Sequence, residues 1–122
     1  SIASFIERTK QPFSVNMMAL IAAKVALADE QYVARIMDNN EKGKRFFYDL
    51  FTELGLTFVP TEANFVLVRI GPDAESLTKR LFDRKILVRW MGAYGLPEYI
   101  RVTVGTMDEN KVFAEGLKSA LK

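Results

Sequence analysis

The sequence predicts a small α/β fold of the α+β type, with a mostly antiparallel sheet of three to four strands and helices packed on one face. Three observations support this prediction. The chain has 122 residues, of which 49% are hydrophobic, which suits a single core. Apolar residues recur at helical spacing in the first half and at the end. Between these parts lie short runs rich in β-branched and aromatic residues, separated by turn signals.

The first predicted helix lies in the apolar run at residues 15–28, after Pro12, and Ser14 or Asn16 is its candidate N-cap. Alanines fill the positions between the larger apolar residues, so no polar stripe is left to face water. The run is shorter than the roughly 20 residues of a membrane span, and Lys24 interrupts it. We therefore expect protein to surround this helix, and part of that protein to lie outside the chain.

A second, longer helix is predicted from an N-cap at Asp29 to Leu54, where Gly55 supplies the left-handed C-terminal residue. Its apolar residues recur at intervals of three and four, and charged residues occupy most other positions, which is typical of an amphipathic helix. The change from an apolar to an amphipathic pattern at Asp29 is the only shift in composition along the chain. We place a domain boundary there.

The strands follow. A short strand is possible in "LTFV" before Pro60, and "NFVLVRI" at residues 64–70 alternates as a half-buried strand does. A helix of about ten residues, capped by Asp73, comes next. Two further strands are predicted in "ILVRW" and "YIRVTV", and a terminal helix capped by Thr106 or Asp108 closes the chain.

Composition excludes several kinds of chemistry. The chain has no cysteine and no histidine, which excludes thiolate and imidazole metal sites and histidine-based triads, so we expect no metal site. The net charge of +2 is too balanced to predict a nucleic-acid surface. No signal-peptide or membrane-span pattern occurs, so a cytoplasmic protein without a membrane partner is the simplest interpretation.

Two arginines lie within the predicted strands. In "YIRVTV" side chains alternate, so Arg101 faces away from the apolar residues Ile100 and Val102, and Arg89 of "ILVRW" has the corresponding position in its strand. Neighbouring strands would bring both guanidiniums to one surface, where a carboxylate or phosphate would reconcile two like charges. The alternative is that each arginine pairs with a surface Asp or Glu, which is the commoner case. Spacing alone leaves both interpretations open.

The chain resembles the C-terminal third of the histidinol-phosphate aminotransferase family, fold-type-I enzymes that use pyridoxal 5'-phosphate. The resemblance runs from about Thr9 to the end, in segments that keep their order: "QPFSVN", "NNEKGKRF", "EANFVLVRI", "ILVRW" and "IRVTVGTMDEN". The threonine-phosphate decarboxylase of cobalamin synthesis shares much of this pattern.

The resemblance implies a two-domain enzyme that is a homodimer when full length. A large domain, absent from this chain, would bind pyridoxal 5'-phosphate and carry the Schiff-base lysine, so this chain would have no catalytic or cofactor-binding residue and would be inactive alone. Residues 1–28 would be an N-terminal segment and interdomain helix, and residues 29–122 the small C-terminal domain. The expected reaction transfers an amino group between L-histidinol phosphate and 2-oxoglutarate in histidine biosynthesis.

Residue roles follow from the same resemblance. Arg101 looks like the family arginine that holds the substrate α-carboxylate, and Arg89 looks like the nearby arginine of the substrate pocket, on the phosphate side. Asn64 matches the "NF" position in a supporting role. Lys10 stands where many family members have Arg. Two other functions remain as alternatives: decarboxylation of threonine phosphate, and a non-catalytic module that binds a small anion.

Overall fold

The computed structural model describes residues 2–10 and 14–122, so Pro12 lies outside the described residues. The chain divides into two compact units, Ser1–Ile36 and Met37–Lys122. The domain boundary predicted at Asp29 therefore stays a prediction, and each unit is described by itself.

The first unit contains helices α1, Ile2–Thr9, and α2, Met17–Ala28, and the beginning of helix α3, Glu30–Glu53. Helix α1 was not predicted, although Ile2, Phe5 and Ile6 have the helical spacing that could have indicated it. Asn16 is the N-cap of α2, since its side-chain oxygen accepts hydrogen bonds from the N–H groups of Met18 and Ala19 at 2.8 and 3.4 Å. No residue of α2 is buried.

Helix α3 follows the prediction closely. The Asp29 carboxylate accepts a hydrogen bond from the Tyr32 N–H at 2.9 Å, which satisfies one of the free donors in the first turn. The helix ends at Glu53, and Gly55 adopts a left-handed φ of 67°. This glycine lets the chain turn directly into the sheet.

The sheet lies in the second unit and has four strands in the order β1-β2-β4-β3, with every pair antiparallel. The strands are β1, Phe58–Val59, β2, Phe65–Arg69, β3, Arg89–Trp90, and β4, Tyr99–Thr103. Its buried face carries Val66, Val68, Ile100 and Val102, which pack with α3 and with helices α4, Ala74–Asp83, and α5, Met107–Ala120. The predicted fold class is confirmed.

The two predicted caps of α4 and α5 differ in outcome. Asp73 occupies the N-cap position of α4, but its side chain forms no capping hydrogen bond. Thr106 caps α5 through a capping box with Glu109, in which each side chain bonds the other residue's backbone N–H. The cap of α5 is thus Thr106 and not Asp108.

The predicted strand "ILVRW" is wrong in its first three residues, because only Arg89 and Trp90 pair with β4. The Ile86 N–H donates instead to the carbonyl of Leu81 in the last turn of α4, at 3.0 Å. The Ile86 side chain also packs directly over Gly116 of α5, where an added Cβ would overlap the end of the Ile86 side chain. This segment is therefore fixed to two helices before it reaches the sheet.

Two consecutive asparagines of α3 hold the ends of the central strands. The Asn39 side-chain amide donates to the Gly105 carbonyl after β4 at 3.0 Å, and that of Asn40 donates to the Ala63 carbonyl before β2 at 3.2 Å. The buried Asn110 side chain bonds both the N–H and the carbonyl of Gly105. The bonds of Asn39 and Asn110 fix the loop that follows β4, the strand of Arg101.

Candidate functional site

The sheet face away from the helices carries the two arginines in adjacent positions. In the β3–β4 ladder Arg89 lies directly opposite Arg101, and in the β2–β4 ladder Leu67 lies opposite Arg101 on its other side. Directly opposed residues of an antiparallel pair project from the same face. The expectation that neighbouring strands bring both guanidiniums to one surface is therefore confirmed.

Arg101 is half-buried and rests on an aromatic ring. Its guanidinium carbon lies 5.0 Å from the centroid of the Phe65 ring, which is the geometry of a cation–π contact. Its Nε atom is buried and has no hydrogen-bond partner in the described part of the chain. A buried donor without a partner is costly, so this guanidinium is incompletely satisfied by the chain itself.

Arg89 is exposed, and its Nη1 donates a hydrogen bond to the Tyr94 hydroxyl oxygen at 3.3 Å. Within residues 2–10 and 14–122, neither Arg89 nor Arg101 forms an ion pair. Both positive charges on this face therefore lack a carboxylate from the described chain.

A third arginine on the same face shows what ordinary surface pairing looks like here. Arg69 of β2 bonds the Glu98 carboxylate through Nε at 2.9 Å and through Nη2 at 2.8 Å. These hydrogen bonds raise the pKa of Arg69 above its usual range. The surface ion-pair interpretation thus holds for Arg69, whereas the described chain offers no such partner to Arg89 or Arg101.

The sequence did not indicate two of the side chains at this face. The sequence pattern predicts Phe65 as a strand residue but not as the ring beneath Arg101, and Tyr94 lies between two predicted strands without a predicted role. The sequence contained a signal for each residue. Phe65 is two positions before Leu67 in its strand, so both side chains project from the same face. Tyr94 is an aromatic residue with a hydroxyl, between two strands that each carry an arginine. The pairing register needed to connect them is not readable from the sequence.

The other two candidate residues lie apart from the arginine pair. The backbone carbonyl of Asn64 accepts a hydrogen bond from the Val104 N–H at 2.8 Å, which extends the β2–β4 ladder by one step. Its side chain is exposed. Lys10 follows α1 in the first unit and is also exposed. A supporting role for Asn64 remains a prediction, and no function is assigned to Lys10.

Lys44 of α3 is buried, but its bonds do not fit covalent binding of a cofactor. Its ammonium bonds the Glu41 carboxylate at 2.6 Å and the Thr61 carbonyl at 3.1 Å, and its side chain is only 6% exposed. The hydrogen bond with Glu41 is the main cause that raises the pKa of Lys44, which keeps the amine protonated and non-nucleophilic. This lysine fixes the loop before β2.

Two features are absent from the described residues. Within residues 2–10 and 14–122, no group of three or more acidic, histidine or cysteine side chains could hold a metal ion. Among the helices formed by these residues, none has the length and apolar character needed to cross a membrane.

Comparison with known proteins places the chain in a family. Residues 1–117 match the family described as aminotransferase class I and II. The chain belongs to this family. A histidinol-phosphate aminotransferase from Symbiobacterium thermophilum is 46% identical to this class I and II aminotransferase chain over 112 residues, which cover 92% of the chain.

Solved structures of related proteins agree with this family assignment. The crystal structure of histidinol-phosphate aminotransferase from Sinorhizobium meliloti in complex with pyridoxal-5'-phosphate superposes on 98% of this aminotransferase chain, with a TM-score of 0.87 and 25% identity. L-threonine-O-3-phosphate decarboxylase from Porphyromonas gingivalis superposes on 95% of it, with a TM-score of 0.69 and 26% identity. The predicted resemblance to fold-type-I aminotransferases is confirmed.

The match covers only part of each relative. The chain spans 31% of the Symbiobacterium protein and 34% of the Sinorhizobium chain, which is about a third of their length. The activity of a whole protein of this family therefore comes to this chain only as a proposal.

Proposed function

We propose that this chain is the small C-terminal domain of a pyridoxal-phosphate aminotransferase that transfers an amino group between L-histidinol phosphate and 2-oxoglutarate in histidine biosynthesis. The observation that carries the proposal is the arginine pair, in which Arg89 lies opposite Arg101 on one sheet face. In the described chain neither arginine has a carboxylate partner. Such a pair suits substrates whose recognised groups are anions. The similarity to histidinol-phosphate aminotransferases supports this particular reaction.

The two substrates would use the arginines differently. 2-Oxoglutarate carries an α-carboxylate, which we assign to Arg101, as the family resemblance implies. L-Histidinol phosphate carries a phosphate ester and no carboxylate, so a single role of Arg101 as carboxylate holder cannot serve both substrates. We assign the phosphate to the Arg89 side of the pair, with Arg101 near enough to share its charge.

The chemistry itself would come from outside this chain. A bound pyridoxal phosphate supplies the electron sink for amino-group transfer. Lys44, bonded to Glu41 and Thr61, does not fit the lysine that binds this cofactor. As the family resemblance implies, we assign that lysine to the large domain, which this chain does not include. The arginine pair would bind the substrates and orient the reacting bond. The full-length protein would be a homodimer, located in the cytoplasm.

The proposal is tested with the full-length protein and its Arg101→Ala variant. Loss of a charge-assisted hydrogen bond costs about 1.5–3 kcal/mol, so we expect the KM for 2-oxoglutarate to rise by roughly tenfold to a hundredfold. The KM for L-histidinol phosphate should rise less. Arg69→Ala is the matched control, because Arg69 lies on the same face but is paired with Glu98. Unchanged KM values for both substrates in Arg101→Ala would refute the assignment.

A second candidate is decarboxylation of threonine phosphate, which the similarity to the Porphyromonas enzyme supports. Threonine phosphate carries both a carboxylate and a phosphate, so it also suits two adjacent arginines. The two reactions are separated by their products. Release of carbon dioxide from L-threonine O-3-phosphate without formation of glutamate from 2-oxoglutarate would favour the decarboxylase.

A further inference from the structure

We infer that Tyr94 is a phosphate ligand, and that its hydroxyl makes the Arg89 end of the site prefer a phosphate to a carboxylate. The inference rests on the proposed function and deepens it. The observation behind it is the contact between Arg89 Nη1 and the Tyr94 hydroxyl oxygen at 3.3 Å.

The direction of this hydrogen bond leaves the tyrosine proton free. A guanidinium carries only donors, so the Tyr94 oxygen must be the acceptor in its contact with Arg89. In the described part of the chain the Tyr94 hydroxyl donates no hydrogen bond of its own. Tyr94 as a whole residue is 62% exposed, so its hydroxyl is accessible to a ligand. An anion that bound Arg89 would meet a second donor at the same place.

The loop that carries Tyr94 is fixed before any ligand binds. The Trp90 indole N–H donates to the Pro97 carbonyl at 2.7 Å, which closes the loop across its base. Gly92 lies directly against the Trp90 ring, where a Cβ atom would clash with the indole carbons. The Tyr94 N–H donates to the Met91 carbonyl at 2.9 Å, within the 3₁₀ turn Gly92–Tyr94. A fixed loop lowers the entropy lost when Tyr94 binds a ligand.

The number of donors favours phosphate. A carboxylate has two oxygens, and an arginine that binds it in the bidentate manner contacts both, so a further donor must share an oxygen with the guanidinium. A phosphate ester has three terminal oxygens and a charge of about −1.5 to −2 at neutral pH, so it can offer a separate oxygen to the hydroxyl and a larger charge to both donors.

The surroundings of the other arginine are different. Arg101 rests on the Phe65 ring, which supplies no hydrogen-bond donor. The two ends of the pair therefore differ in chemistry, and Tyr94 marks the phosphate end.

The test uses the full-length protein, the Tyr94→Phe variant and inorganic phosphate as a probe. Tyr94→Phe keeps the ring and removes only the hydroxyl. We expect the KM for L-histidinol phosphate to rise about tenfold, with kcat changed less than about twofold. The KM for 2-oxoglutarate should rise by a smaller factor. The dissociation constant of inorganic phosphate, measured by calorimetry, should also rise about tenfold.

Tyr32→Phe is the matched control, because it removes a hydroxyl from α3 and leaves the sheet face unchanged; it should match the wild type in all four measurements. Equal phosphate affinity in wild type and Tyr94→Phe would overturn the inference, as would failure of both to bind phosphate. An equal rise in both KM values with unchanged phosphate affinity would indicate loop packing and would also overturn it. If the wild-type protein binds phosphate through Tyr94 but does not transfer the amino group, the proposed function fails and the inference stands.

Discussion

At the scale of single residues, the site is defined by which charges the chain neutralises and which it leaves free. Arg69, Arg89 and Arg101 lie on one face of the same sheet, yet only Arg69 has a carboxylate partner in the described chain. Strand alternation predicted the face, but it could not predict this difference. Glu98, which pairs with Arg69, lies 29 positions after it in the sequence, and only the fold brings the two residues together.

Phe65 provides a test of how Arg101 is positioned. A cation–π contact at a partly exposed site contributes about 0.5–1 kcal/mol, so Phe65→Leu in the full-length protein should raise the KM for 2-oxoglutarate about two- to fivefold. The kcat should change less, because the guanidinium itself remains. Phe82→Leu, an exposed position on α4, is the control. A Phe65→Leu enzyme with wild-type KM would show that the ring does not hold the guanidinium.

Glu109 should make the free energy of unfolding of the chain depend on pH in the acid range. The backbone N–H of Thr106 donates to its carboxylate at 2.7 Å and, with the Thr106 hydroxyl, lowers the pKa of Glu109. A lowered folded-state pKa adds stability above the unfolded pKa, and this contribution is lost as pH falls through the folded value.

Urea unfolding at a series of pH values, from neutral into the acid range, would measure this contribution. Glu109→Gln can still accept the Thr106 N–H bond but cannot titrate, so its stability should fall less steeply with acid than that of the wild type. Glu115→Gln, an exposed change on the same helix, should keep the wild-type dependence. Identical acid profiles for wild type and Glu109→Gln would exclude this role for the cap.

At the scale of elements, the sequence predicted correctly the helix ends that depend on neighbouring residues alone. Helices begin after Asp29 and Thr106, whose side chains accept hydrogen bonds from the first turn, and α3 ends before Gly55, which adopts a left-handed conformation. The strand predicted at the start of "ILVRW" is wrong because the backbone of Ile86 is bonded to the preceding helix α4 and its side chain packs on α5, and the α5 contact joins distant parts of the chain. Helix α1 was missed although its spacing was present, because it is short and buries no residue.

Gly43 of α3 tests one of these long-range contacts. In an exposed helix, Gly→Ala stabilises by about 1 kcal/mol. At Gly43 an added Cβ would overlap Val104 and lie 2.9 Å from Asn110 Nδ2, and overpacking costs about 1–3 kcal/mol. We therefore expect Gly43→Ala to lower the free energy of unfolding, measured by urea titration of this chain. Arg45→Ala, an exposed change on the same helix, is the control, and its free energy of unfolding should stay within about 0.5 kcal/mol of wild type. A Gly43→Ala variant more stable than wild type would contradict the close packing.

At the scale of the whole molecule, the first unit exposes many large apolar side chains. Helix α2 has no buried residue, and Met18, Leu20 and Leu27 are 73%, 56% and 82% exposed. The sequence indicated this, because the helix has no polar stripe to place toward water. The chain spans about a third of its aminotransferase relatives, so a packing partner in the remaining two thirds would explain a helix of this kind.

The same surface predicts how the chain behaves when it is produced alone. Contiguous apolar patches of more than a few hundred Å² drive association, so this chain should form oligomers that grow with concentration in sedimentation velocity experiments. Replacing Ile21 and Val25 of α2 together by Gln removes apolar area while keeping a good helix former, and should shift the distribution toward monomer. Val112→Gln, which removes an exposed valine from α5, should leave the association unchanged. A wild-type chain that stays monomeric at high concentration would contradict this role for α2, and equal effects of the two sets of substitutions would show that association does not depend on that helix.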